Sequence, residues 1–259
     1  MEELTSLPSD ADEGAEPTVQ VDAWDWEDAL DQDEDGDESE ESEEEKDTFH
    51  RRSQIGAPSC LVFVLHGYRM RARDMRTWLF EDVEALRPHM EFIHLRSGVL
   101  PIANEGGKLR RAWFEYLTDY DGAAEDLTDA DTLTRTRARL VDEIEGRCED
   151  RGVPLQRVVL VGYSQGGNVA VDLAGHLRVG LCVTLASHKL SVTDRPIRCR
   201  WNALMLSRDE CFPLDTFAPL VAEASTVDVL DDYHGMNACG DEAIAFLEGV
   251  LDAFAPAMP

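Results

Sequence analysis

The chain has 259 residues, with 53 acidic against 24 basic side chains and a formal net charge of −29. The imbalance is local: residues 1–48 hold 22 acidic side chains and a single basic one, Lys46, a charge of −21, while the other 211 residues carry only −8. Such a segment repels nucleic acid and anionic membrane surfaces. No apolar run reaches the roughly 20 residues that cross a bilayer, and the opening Met1-Glu-Glu-Leu4 is no secretory leader. Six cysteines (Cys60, Cys148, Cys182, Cys199, Cys211, Cys239) form no C-x-x-C pair or finger-like spacing, which points to a reducing, cytoplasmic setting without a bound metal. No residue pattern asks for a cofactor.

Residues 1–50 are too charged and too poor in apolar side chains to build a core, so they read as a disordered acidic tail. Within them Asp31-Gln-Asp33-Glu-Asp35-Gly36 copies the first half of a calcium loop. The copy fails at position twelve, where Ser42 stands in place of glutamate. Trp24 and Trp26 among acids could anchor a segment that orders on a basic partner, and Ser42, followed by three glutamates, suits an acid-directed kinase. The plain alternative is a solvated tail that aids solubility.

Residues 51–259 read as one domain. Cys60 to Leu65 is a wholly apolar strand that ends in His66-Gly67, and a basic loop, Arg69 to Arg73, follows. Asp74 is placed to cap a helix with Met75, Trp78, Leu79, Val83 and Leu86 at helical spacing, stopped by Pro88. Met90 to Leu95 is a short strand. Residues 96–128 show no clear period and read as a lid or pocket wall. Leu133, Leu140, Val141, Ile144 and Cys148 mark a helix closed by Gly152. Strands are then expected at Val158–Val161, Leu181–Leu185, Ala203–Leu206 and Val227–Leu230. Helices are expected near Gln165–Leu177, Leu214–Ala224 and over the stripe Ala243 to Phe254. Strands alternating with helices predict a mostly parallel central sheet covered by helices on both faces, with the active site at the carboxyl ends of the strands.

The sharpest local signal is Gly162-Tyr163-Ser164-Gln165-Gly166, a G-x-S-x-G sequence between an apolar strand and a helix. That context raises a serine hydroxyl on a tight turn at the top of the sheet. A serine needs a base, and the base needs a group that holds its tautomer; on this kind of sheet they follow in the order serine, acid, histidine. His234, between the last strand and last helix, is the expected base, with His188 in reserve; His176 lies too far along the helix. Asp209, just past Ala203–Leu206, is the expected acid. Its neighbour Glu210, Asp215 in the next helix and Asp194 after an earlier strand are the alternatives. The expected oxyanion donors are the backbone N–H groups of Gln165 and Tyr68.

Together these residues resemble the phospholipase/carboxylesterase group of α/β-hydrolases, which includes acyl-protein thioesterases and small carboxylesterases. Leu65-His-Gly67 is similar to the family's first-strand exit and Gly162-Tyr-Ser164-Gln-Gly-Gly167 to its elbow. Lys108-Leu-Arg-Arg-Ala-Trp113-Phe-Glu-Tyr116 resembles its segment beside the pocket. Asp209 with Pro213, and His234 ahead of Phe246-Leu247, resemble its acid and base loops. The resemblance spans roughly residues 58–255. It implies an α/β-hydrolase fold and cleavage of an acyl ester or thioester on a small molecule, lysophospholipid or acylated protein. Trp113 and Phe114, joined by Phe212, are then the substrate-contacting candidates. Two readings compete with this one: a catalytically silent binding protein acting through its tail, and a serine peptidase. The sequence departs from the family where Arg69 and further arginines follow His66-Gly67 in place of a second glycine.

Overall fold

The computed structural model describes residues 58–118 and 127–254. The acidic tail assigned to 1–50, its calcium-loop-like stretch, Trp24, Trp26 and Ser42 lie outside the described residues. Strand β1 (Cys60–Leu65) is followed by a helical run, α1, built from Ala72–Met75, a π-turn at Arg76–Phe80 and Glu81–Ala85. After β2 (Met90–Leu95) come β3 (Gly98–Ile102), β4 (Lys108–Ala112) and the long helix α2 (Ala130–Arg151). Next are β5 (Val158–Tyr163), α3 (Gln165–His176), β6 (Leu181–Leu185), β7 (Arg200–Leu206), the short α4 (Leu214–Phe217), β8 (Thr226–Leu230) and α5 (Gly240–Phe254).

Six strands form one parallel sheet in the order β2-β1-β5-β6-β7-β8. Successive strand side chains point to opposite faces, and the two cores follow that alternation. Leu61, Phe63 and Leu65 of β1 join Leu133, Leu140 and Ile144 of α2 and the apolar residues of α3 on one face. Cys60, Val62 and Val64 join Met75, Leu79 and Val83 of α1 and Ala243, Leu247 and Leu251 of α5 on the other. With helices on both faces, the central strands have no solvent side, which is why β1, β5 and β6 are buried throughout and mostly apolar.

Two expectations are corrected. Asp74 is not the cap residue of α1: the helix begins at Ala72, Arg71 is the N-cap, and Asp74 sits at the third helical position, accepting from the Arg71 N–H at 3.2 Å. Asp74 supplies the reciprocal half of a capping box, not the cap itself. Residues 96–128 are not structureless, since β3 and β4 pair antiparallel, from Gly98 with Ala112 to Ile102 with Lys108. This ribbon is largely exposed and carries Pro101, so it shows no apolar alternation. The end of α2 follows its sequence signal: Gly152 closes it at φ 63°. At its start Asp129, not singled out from sequence, caps it by accepting from the N–H groups of Asp131 and Thr132.

Candidate active site

The turn from β5 into α3 holds Ser164 at φ 51°, ψ −125°, a backbone region that non-glycine residues rarely occupy. Glycines around it are required by space. A Cβ on Gly162 would stand 2.3 Å from the Gly166 carbonyl oxygen, one on Gly166 2.3 Å from the Leu65 oxygen, and one on Gly167 2.5 Å from the Ser187 Cβ. The elbow is therefore clamped between β1 and the exit of β6.

The serine hydroxyl faces His234. The His234 Nε2 lies 2.8 Å from Ser164 Oγ, while Nδ1 lies 2.9 Å from both carboxylate oxygens of Asp209. Since an ionised carboxylate only accepts, Nδ1 carries the proton and Nε2 presents its lone pair to the hydroxyl. Asp209 is buried at the end of β7, and its Oδ1 also accepts from the backbone N–H groups of Cys211 (2.9 Å) and Phe212 (2.7 Å). The structure thus brings together the serine, acid and histidine singled out from sequence. Cys211 lies close by, with its sulfur, an Asp209 oxygen and a His234 nitrogen all within 4.8 Å of one another. The Asp209 oxygens already accept from His234 and two backbone N–H groups.

The loop that carries His234 is itself anchored. Asp232 accepts from the N–H groups of Tyr233 (2.8 Å), Ala238 (2.7 Å) and Cys239 (2.9 Å). Burial raises its pKa, but these donors outweigh burial and hold the carboxyl below its ordinary value. Tyr163, beside Ser164, donates its hydroxyl to the His234 carbonyl at 2.7 Å and stacks on the imidazole at 5.5 Å, while Phe212 meets the ring edge-on at 5.1 Å. Sequence reasoning missed Asp232 and the role of Tyr163. An aspartate two residues before a loop histidine was the only available signal.

Gln165 also does more than its sequence match implied. Its Oε1 accepts from the Trp113 N–H at 2.9 Å and its amide donates to the Phe114 carbonyl at 3.0 Å, tying the exit of β4 to the elbow. Trp113 and Phe114 are fully buried, and the Trp113 indole donates to the His66 carbonyl at 2.7 Å. Tyr68 follows Gly67 in the loop after β1, and its N–H has no backbone partner among the described residues. Its hydroxyl meets Glu105. The alternatives are placed elsewhere: His188 is buried against Phe212 and Phe217, Asp194 and Asp215 are exposed, and Glu210 accepts from the His234 backbone N–H. His176 lies beside Arg137 and Asp172.

His66, at the exit of β1, is held neutral. Its Nδ1 donates to the Gly67 carbonyl at 2.8 Å and its Nε2 accepts from the Ser97 N–H at 3.2 Å, a pairing that a doubly protonated ring could not make. Burial, reinforced by Arg111, pushes its pKa from 6.5 down to about 4. The folded state disfavours the charged ring, so this contribution is complete above pH 6.5 and is lost as pH falls from 6.5 to about 4. It is expected to amount to about 3 kcal/mol. Urea unfolding of the protein and of His66→Gln across that interval should show a shallower loss of stability in the variant; parallel curves would refute this.

Among the described residues no helix is long and apolar enough to cross a membrane, and no disulfide joins any of the six cysteines. Comparison with known proteins places the chain in a family. A sequence model of the phospholipase/carboxylesterase family matches residues 52–188. Acyl-protein thioesterase 1 homolog 2 of Dictyostelium discoideum is 30% identical over 169 residues, which is 55% of this chain and 73% of that protein. Among solved structures, acyl-protein thioesterase 2 of Zea mays aligns with a TM-score of 0.60 at 14% identity, covering 77% of this chain and 95% of the other. The Bacillus cereus carboxylesterase aligns with a TM-score of 0.59 at 16% identity, covering 76% and 89%. The fold is that of the α/β-hydrolases, and the chain belongs to the phospholipase/carboxylesterase family.

Proposed function

We propose that this esterase/thioesterase-type hydrolase works as a serine hydrolase, through Ser164, His234 and Asp209, on carboxylic esters or thioesters. The observation that carries the reading is the unbroken hydrogen-bonded path from the Ser164 hydroxyl through His234 to Asp209. Ser164 Oγ bonds to the acyl carbon as its proton passes to His234 Nε2, and the carbonyl electron pair moves onto oxygen. The Gln165 and Tyr68 N–H groups meet that oxyanion, each supplying on the order of 10²–10³ in rate. Collapse breaks the bond to the alcohol or thiol, which leaves with the proton from His234. Water, activated by the same histidine, then releases the acid and regenerates the serine. Asp209 holds the ring and stabilises the imidazolium that forms in each half-reaction.

An uncharged fluorophosphonate probe is expected to label the protein once per chain, and Ser164→Ala to abolish labelling. Labelling that survives in the variant would refute the assignment. A series of acyl esters paired with the matching thioesters then reads chain length and the ester or thioester preference. Assay with and without residues 1–50 tests whether the acidic tail, proposed as a disordered appendage able to engage a basic partner, bears on turnover.

A further inference from the structure

Arg69, Arg71, Arg73, Arg110 and Arg111 crowd the loop after β1 and the end of β4, against few carboxylates. Arg110 pairs with Glu105 at 2.6 Å and Arg73 lies 3.6 Å from Asp74. Arg69 and Arg111 have no ion pair among the described residues, and in both the Nε is buried without a hydrogen-bond partner. Both residues are half-buried rather than fully exposed. A buried, unpaired donor on a cation costs free energy unless an acceptor arrives.

The two arginines are also held together. The Arg69 N–H donates to the Arg111 carbonyl at 2.8 Å, and Arg69 takes φ 63°, where glycine would be easier. Both lie next to the nucleophile's surroundings. Arg69 follows Tyr68 on a loop whose Gly67 packs against the Tyr163 ring, and Arg111 stands two residues before Trp113, which is bonded to Gln165. Their charge is felt nearby: Arg111 depresses His66, and Arg69 helps lower Glu105. A chain of net charge −29 repels anions at long range, so an anionic substrate needs a local cationic focus beside the serine.

We propose that Arg69 and Arg111 form an anion subsite on the rim of the Ser164 site, which takes a carboxylate or phosphate carried by the acyl ester or thioester substrate. This rests on the hydrolase reading above. Two planar guanidinium forks, rather than lysines, suit bidentate contact with either oxyanion.

The test compares kcat/KM of the full chain for matched pairs: p-nitrophenyl hemisuccinate against p-nitrophenyl valerate, and 1-butyrylglycerol 3-phosphate against 1-butyrylglycerol. The first pair places a carboxylate on the acyl side and the second a phosphate on the alcohol side. The protein is expected to prefer the anion in at least one pair. Arg69→Gln and Arg111→Gln should each lower that preference about tenfold, and the double variant on the order of a hundredfold. Arg111→Lys should retain part of it. No preference for either anion, or a preference that survives in the double variant, overturns the subsite. So does an equal loss on charged and neutral esters. Failure of the hydrolase reading would show separately, as absent fluorophosphonate labelling. The subsite would then stand or fall on calorimetric binding of inorganic phosphate, expected for the full chain and lost in the double variant.

Discussion

Alanine at His234 is expected to lower kcat for ester hydrolysis on the order of 10⁶-fold, and Asp209→Asn by about 10⁴-fold. The first loss follows from a hydroxyl left without a base: Ser164 Oγ has no other titratable partner within hydrogen-bond reach among the described residues. The second is a tautomer effect. Asparagine can keep accepting from the Cys211 and Phe212 N–H groups through Oδ1, so the loop stays in place. Its amide then presents donors to His234 Nδ1, which moves the ring proton to Nε2, where it can no longer take the serine proton. Single-turnover kinetics on a p-nitrophenyl ester, with circular dichroism to establish folding, read both variants. A folded Asp209→Asn protein within tenfold of the parent would remove Asp209 from the path.

Gly166→Ala is expected to cost about 3 kcal/mol or more, at the upper end of what overpacking does. The added methyl would sit 2.3 Å from the Leu65 carbonyl oxygen and 2.4 Å from that of His66, both backbone atoms of β1 and its exit, which cannot rotate aside. Gly146 in α2 provides the contrast, since nothing lies within 4 Å of its would-be Cβ. Alanine there should gain about 0.5–1 kcal/mol through helix propensity alone. Urea unfolding of the two variants should move the midpoint in opposite directions. A neutral Gly166→Ala would mean that α3 can slide away from β1, and the serine with it.

How much of this was legible in sequence depended on whether a residue's neighbours in space were also its neighbours in the chain. The sheet was readable because β1, β5 and β6 are dominated by apolar residues, and Ser164 because the glycines that crowd it lie within five residues of one another. Asp209 and His234 could be ordered by the topology of the sheet, but only the structure brought His188 and Asp194 down to bystanders. The β3–β4 ribbon stayed hidden because exposed pairs need no alternation. Gln165 reaches Trp113 across 52 residues, a contact with no local trace. Asp232 does not stand out in Leu230-Asp-Asp-Tyr-His234, since three N–H groups converging on a carboxylate leave no mark in composition.

The backbone at Ser164 sets a limit on how this protein can change. At φ 51° the most comfortable occupant is glycine, which has no hydroxyl to offer. Drift toward a more robust chain therefore leads away from chemistry at this one position, and toughness has to be won elsewhere, in places such as the open face of α2. Relatives that have stopped turning over substrate should betray it first here, by a residue that relaxes the turn.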